Sequence, residues 1–301
     1  MQIIYRIIYT QGLNRLLRSV NKVLFPILPG WFKLPPTGVL NIESREGKKM
    51  KLSLNQTCGL GAIIYWEGGY ESFEYTPIFI KLSRKIDSFF DIGANIGYYS
   101  LVAAMENSNM KITSFEPATG PHYYLSENVR INNFLNIKIE DVALSDQEGE
   151  IEFYEIKNKK YKYLEHCLAG ESNAGSLTTG RNFQINKVKT TTFEKYVKEN
   201  NIENIDLVKI DTEGTEHFIL NNASSILGEM KPIIICETLF DQIEDKLEDI
   251  FSSYGYEFYN HVSEGLVKVP TIIRKEYNGV NNCFFVHPTK KHLIEEFIIK
   301  I

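Results

Sequence analysis

Short apolar runs recur along the middle of the chain: SFFDI (88–92), KITSFEP (111–117), NIKIEDVAL (136–144), IDLVKID (205–211) and PIIICE (232–237). Their length suits buried strands. Between them lie longer stretches with apolar residues at helical spacing: GYYSLVAAMEN, YYLSENVRINN, TFEKYVKEN, TEHFILNNASSIL and DQIEDKLEDIFSSY. Strands that alternate with helices predict a mostly parallel sheet covered on both faces. IEFYEI (151–156) reads as a further strand, and the polar region 157–186 as an inserted loop or lid. YEFYNH and NNCFFVHP are two later strand candidates, the second suited to close the sheet antiparallel.

Upstream, VLNIES and KMKLSL flank the polar turn REGK and predict a hairpin. ESFEYTPIFIKLSRKI predicts a helix interrupted near Pro77. Leu13, Leu16, Leu17, Val20 and Leu24 form a helical stripe, with Arg15, Arg18 and Lys22 off it. Pro29, Gly30, Pro35, Pro36 and Gly38 break the chain after that helix. These shifts divide the chain into an extension, residues 1–80, and a main domain, residues 81–301.

Composition narrows the field. With 43% hydrophobic and 24% charged residues the chain is of globular type, and a net charge of −5 argues against a general nucleic-acid surface. Cys58, Cys167, Cys236 and Cys283 lie far apart, so neither a disulfide framework nor a structural zinc site is expected, and a reducing, cytoplasmic setting is. No apolar run of about 18 residues predicts a transmembrane helix. The N-terminal region carries Arg6, Arg15, Arg18, Lys22 and Lys33 before its first acid, Glu43. Two expectations compete there: a helix packed on the main domain or a partner subunit, or a basic amphipathic helix on the inner face of a membrane.

The candidate chemistry begins at Asp91-Ile92-Gly93-Ala94-Asn95-Ile96-Gly97, the loop after the first central strand. Ligands of open parallel sheets sit at such strand ends. Gly93 allows a tight turn and close ligand approach, and Gly97 lets the next helix begin against the strand. A pyrophosphate-binding fingerprint would have glycine where Asn95 stands, and Asp91 would repel the phosphates. The same carboxylate suits a positive group, directly or through water. The next strand ends in Glu116, placed to accept hydrogen bonds from both hydroxyls of a ribose. At the third, Asp141 can accept from an adenine amino group and Val142 can pack on the ring. A positive group, a ribose and an adenine together describe S-adenosylmethionine.

DIGANIGYYSLVAA, SFEP, ALSD, NAGSL, IDLVKIDTEGTE and PIIICE, in that order, resemble the FkbM family of S-adenosylmethionine-dependent methyltransferases. The resemblance covers roughly residues 88–240, and KIDTEGTE is its most specific piece. It implies a class I methyltransferase fold: an α/β, Rossmann-like, seven-stranded, mostly parallel sheet. It also implies O-methylation, often of sugars or polyketide hydroxyls. Gly175 and Ser176 match the family's small-residue lid element. This chain departs from the family at Thr215-Glu216-His217, where an apolar residue usually follows the final acid.

A hydroxyl is a poor nucleophile until its proton is accepted. Asp211 falls at the tip of the fourth strand, Glu213 in the turn after it and Glu237 at the tip of the fifth. Three roles are open to them: general base, oxygen ligands for Mg²⁺, or partners for sugar hydroxyls. Lys209 is expected to pair with these acids. Glu216 can cap the helix that follows, and His217 is a further candidate base. Tyr161 and Tyr163, among lysines, can stack on a sugar or belong to a solvated loop. The expectation is a methyltransferase acting on a hydroxyl of a sugar in a glycan, glycolipid or nucleotide-linked precursor. The rivals are a nicotinamide-dependent oxidoreductase and a non-catalytic cofactor-binding scaffold at a membrane.

Overall fold

A computed structural model describes residues 1–24, 33–168 and 182–300. The chain opens with two helices, α1 (Gln2–Ile8) and α2 (Gln11–Leu24), and a hairpin, β1 (Gly38–Glu43) and β2 (Lys49–Leu54). Helices α3 (Gly59–Trp66) and α4 (Thr76–Ser83) lead into the central unit. Pro77 stands in the first turn of α4, where a missing N–H costs nothing; it starts this helix rather than interrupting one.

The central unit runs β3 (Ser88–Ile92), α5 (Tyr98–Glu106), β4 (Lys111–Phe115), α6 (Thr119–Asn132), β5 (Ile137–Glu140), β6 (Ala143–Ser145), β7 (Gly149–Lys157), β8 (Asn182–Thr192) and α7 (Phe193–Glu199). It continues with β9 (Leu207–Ile210), α8 (Glu216–Asn221), β10 (Ile233–Glu237), α9 (Glu244–Ser253), β11 (Glu257–Val262), β12 (Gly265–Val269), β13 (Asn282–Val286) and β14 (Ile298–Ile299).

Among the described residues the main sheet has nine strands, in the order β14-β12-β11-β13-β10-β9-β3-β4-β5. The seven expected strands are its body, from β11 to β5, and β12 and β14 extend one edge. β13 pairs antiparallel with β10, as the sequence suggested, whereas β10, β9, β3, β4 and β5 pair in parallel. Residue alternation sends Phe89, Leu207 and Ile235 to one core, with α4, α5 and the hairpin. Phe90, Val208 and Ile234 go to the other core, with α7, α8 and α9.

Two expectations are revised. The run 136–144 is not one strand: β5 ends at Glu140, and β6 starts at Ala143 in a different sheet. The insert also contains β8, which pairs antiparallel with β7 from Gly149↔Thr190 to Lys157↔Asn182. With β6 they form a separate three-stranded sheet. Gly175 and Ser176 lie outside the described residues.

Candidate active site

The carboxyl ends of β3, β4 and β9 open onto a cleft of about 350 Å³. The small sheet supplies its opposite wall through Ala143, Leu144, Ile151 and Phe153. That volume lies within the about 300–1,000 Å³ usual for small-molecule sites.

Its floor is the glycine loop. Gly93 has φ +73°, and a Cβ there would stand 2.0 Å from the carbonyl oxygen of Asp211. The neighbouring acidic turn therefore demands this glycine at least as much as any ligand would. Gly97 has φ +82° as α5 begins, and a Cβ would meet Leu125 Cδ1 at 2.3 Å. Between them Asn95 also takes a left-handed backbone, φ 51°, which asparagine tolerates better than most residues.

Glu116 faces the cleft from the end of β4. Its two oxygens accept from the backbone N–H groups of Asn95 at 2.7 Å and Ala118 at 2.8 Å. Burial pushes its carboxyl up to about 7 despite those donors. Each oxygen retains acceptor capacity for a ligand.

Asp91 sits elsewhere. Its side chain is fully buried behind the loop and lines no part of the cleft. Oδ2 accepts from Ser100 Oγ at 2.5 Å and from Ser100 N at 3.2 Å. Lys209 Nζ lies 3.8 Å from Oδ1. The expected direct contact with a ligand's positive end gives way to an internal one, and Asp91 acts on the cleft by fixing the loop. Asp141 is also displaced: it is exposed and borders a different hollow, beside His122 and Lys189. Val142 does line the cleft, as do Ser145, Asp146 and Gln147 just beyond it. The break between β5 and β6 turns Asp141 away and brings Asp146 in. The ALSD motif carried that signal, but a continuous strand through 144 hid its direction.

Asp211, Thr212 and Glu213 form the cleft's acidic end. Asp211 N donates to Ile92 O, so the turn is hydrogen-bonded to the end of β3. Glu213 and Gly214 have φ of 57° and 100°, which folds the chain sharply into α8. Glu216 holds that turn: Oε1 accepts from Thr212 N at 2.8 Å and Gly214 N at 3.2 Å. Its expected role as a helix cap gives way to this one: the N-cap of α8 is Thr215, which makes no side-chain cap bond, and Glu216 ties the turn ahead of the helix. His217 points the other way, with Nε2 3.4 Å from Lys246 Nζ of α9 and its ring centroid 4.0 Å from that of Phe218, the two planes tilted by 37°. It lines no part of the cleft, and burial, then Lys246, holds its pKa below the ordinary value. The geometry removes it as a base.

Glu237 ends β10, beside the tip of β9, and is not among the residues that line the cleft. Burial, then the charges of Asp211, Glu213, Glu216 and Glu74, push its carboxyl up to about 8. Oε2 is buried with no hydrogen-bond partner among the described residues. Glu74 was not legible in the sequence, because it lies in a turn before α4 with no motif around it. It accepts from Tyr99 Oη at 3.1 Å and has φ 41°. The acids thus feel one another, but among the described residues no three His, Cys, Asp or Glu side chains form a group that could hold a metal ion. The expected Mg²⁺ site at Asp211, Glu213 and Glu237 is not supported.

The methyltransferase FkbM domain model matches residues 91–258, more than half of the chain. The chain belongs to the FkbM methyltransferase family. It is thereby an S-adenosylmethionine-dependent methyltransferase, and the oxidoreductase reading falls. One relative, methyltransferase sdnD of Sordaria araneosa, is 28% identical over 183 residues, 53% of this chain and 71% of that one. Among solved structures, the methyltransferase FkbM of Methylobacillus flagellatus KT aligns with TM-score 0.43 and 12% identity, covering 67% of this chain and 43% of that one. This FkbM chain therefore spans less than half the length of that protein. The M. jannaschii TYW2 structure, solved in complex with AdoMet, aligns with TM-score 0.39 and 14% identity, over 84% of this chain and 88% of that one. No described helix is long and apolar enough to cross a membrane.

The cleft's residues fit S-adenosylmethionine. Glu116 is a buried acid with free acceptor capacity, and Phe115, Val142 and Leu144 offer an apolar wall for a planar ring. The acids at the far end suit a cationic group and a polar acceptor.

Proposed function

We propose that this protein is an O-methyltransferase whose acceptor is a hydroxyl of a sugar, in a glycan, glycolipid or nucleotide-linked precursor. The observation that carries the reading is the acidic end of the cleft, where Asp211 and Glu213 stand beside the glycine loop and can accept from a hydroxyl. Glu237, at the tip of β10 and outside the cleft lining, has its carboxyl pushed up to about 8 by burial and neighbouring acids, near working pH. A general base is most effective there. A hydroxyl acceptor needs such a base; a pre-ionised acceptor would not.

S-adenosylmethionine would supply an activated methyl group on a sulfonium. Glu116 would take the ribose hydroxyls, and Val142 would pack on the adenine. The proton that the acceptor hydroxyl gives up on taking the methyl group would pass through the acidic end to Glu237. Asp211, paired with Lys209, and Glu213 would hold other hydroxyls of the sugar and align the attack. Asp146, Gln147 and Thr215 widen the polar rim, and exposed Phe218 gives a sugar face a ring to lie on.

The test is mass spectrometry of a sugar-acceptor panel incubated with methyl-labelled S-adenosylmethionine. One labelled methyl per modified sugar is expected, lost in Asp211→Asn and Glu237→Gln while calorimetry still shows cofactor binding. Full turnover in both variants would remove the acidic end from the chemistry. Cofactor binding with no product across the panel would return the scaffold reading.

A further inference from the structure

The amphipathic stripe of the N-terminal helices points outward. The α2 side that docks is polar: Asn14 and Arg18 are buried, Arg18 Nε bonds Asn14 Oδ1 at 2.8 Å, and the guanidinium lies over the Tyr65 ring. Asn14 Oδ1 also accepts from Thr37 N. Opposite that anchorage Leu16, Val20 and Val23 are 61%, 51% and 78% exposed. Helix α1 repeats the arrangement. Tyr5 and Tyr9 turn inward, each edge-on to Tyr161, while Ile3, Ile4 and Ile7 are 75%, 58% and 53% exposed. Both helices are thus held largely by polar and aromatic contacts and leave most of their aliphatic residues in water, only Ile8 and Leu13 being half-buried.

The charge around this face is one-sided. Residues 1–42 contain five basic side chains and no acid, in a chain of net charge −5. Arg6, Arg15 and Lys22 are exposed. Against α1 lies a second basic segment, where Gln2 Nε2 donates to Lys160 O and Lys160 Nζ sits over the Tyr5 ring. Lys157, Lys159, Lys160 and Lys162 are exposed there, and no acid stands between Ile156 and Glu165. Two stretches of chain far apart in sequence therefore place cations around one aliphatic face. A second copy docked on it would bring like charge to like charge.

We propose that this face seats the protein on the surface of an anionic lipid bilayer, with the isoleucines and valines among the acyl chains and the lysines at the headgroups. The proposal does not depend on the acceptor's identity. The same contact reaches the cleft. From Tyr161 the chain runs to His166, whose ring lies 4.7 Å from that of Tyr123, and Cys167 O lies 3.0 Å from the position of a Cβ on Gly120. The next residue, Pro121, is part of the cleft wall.

The test is flotation of the full chain with vesicles of phosphatidylcholine alone and of phosphatidylcholine with phosphatidylserine, at low and high salt, beside light scattering for oligomeric state. Binding is expected to the anionic vesicles only, and to weaken as salt rises. Ile4→Ser with Val20→Ser, and separately Lys159→Glu with Lys162→Glu, should each reduce partitioning roughly tenfold or more, with unchanged melting temperature and cofactor binding. These residues are exposed, so a loss would not reflect misfolding. No binding to anionic vesicles, equal binding to neutral ones, or a dimer abolished by Ile4→Ser with Val20→Ser would each overturn the proposal.

Discussion

Lys209 holds its ammonium 3.2 Å from Asp211 Oδ2, at the point where β9 leaves the sheet. The same nitrogen donates to Gly93 O at 3.2 Å and faces Asp91 Oδ1. One buried cation thus ties the tip of β3, the glycine loop and the acidic turn together. Burial pulls its pKa down, but Asp211 and Asp91 outweigh that and keep the group protonated. Lys209→Met would leave Asp91 buried beside a neutral side chain. Removing one partner of a buried pair costs about 3–5 kcal/mol. Urea unfolding should show a loss of that order; a loss below about 1 kcal/mol would mean that the pair contributes little.

The two glycines of the loop should respond differently to alanine. At Gly93 the new methyl meets a backbone carbonyl that cannot turn away, whereas at Gly97 it meets the end of the Leu125 side chain. Both positions carry the strain of a left-handed backbone, about 1–2 kcal/mol. Gly97→Ala should cost little more than that. Gly93→Ala should cost about 3 kcal/mol or more, because the clash adds to the strain. It should also weaken cofactor binding, since the loop must shift. Thermal melts with and without S-adenosylhomocysteine measure both. Equal losses at the two sites would show that the turn yields easily.

Cofactor affinity should follow the ionisation of Glu116. The carboxylate, not the acid, accepts from both ribose hydroxyls, and its pKa before ligand binding is about 7. Binding then releases a proton below that pH, and affinity should fall by up to about tenfold per pH unit in the acid limb. Glu116→Gln should flatten the profile and weaken binding at pH 8 by about 1–3 kcal/mol. Calorimetry across pH 5.5–8.5 would show it. A profile shared by the wild type and the variant would separate Glu116 from the ribose.

Much of the fold was legible because the central strands are buried on both faces and read as apolar runs. β3 is buried at all five positions, and its glycine loop follows at once. β8 was hidden because NFQINKVKTTT is mostly polar: it pairs outside the main core and buries chiefly Val188 and Thr190. The same cause misplaced Asp141, since nothing in NIKIEDVAL marks where the chain changes sheets. The stripe on α2 was visible, but its direction was not. A helix whose buried side is Asn14 and Arg18 contradicts the rule that apolar residues face inward, and only the contacts with Tyr65 and Thr37 show it. Asp91 was expected to meet a ligand's positive group directly or through water, and the structure instead buries it behind the loop, 3.8 Å from Lys209 Nζ. An acid at a strand tip can serve a buried lysine as well as a ligand, and Lys209 lies 118 residues away in sequence, on the adjacent strand.

The acidic end should make the ligand-free protein less stable as pH rises. Glu237 has a folded-state pKa of about 8, above the ordinary value near 4.5, because burial and four neighbouring acids oppose its charge. Glu116 is shifted in the same direction, to about 7. A carboxyl whose folded pKa is raised binds its proton more tightly in the native state. Between the two pKa values the native protein holds more protons than the unfolded one, so stability falls as pH rises. The penalty is absent below pH 4.5, grows through the neutral range and is complete above pH 8. Glu237→Gln removes the charge that the site resists and keeps the shape of the side chain. It should raise ligand-free stability at pH 8.5 by on the order of 1–2 kcal/mol and leave it unchanged near pH 5. The gain at high pH with lost turnover would mark a site that gives up stability for a base, a trade common at catalytic centres. Urea melts at the two pH values decide it: equal gains at both would show that the carboxyl's charge is not what the fold resists.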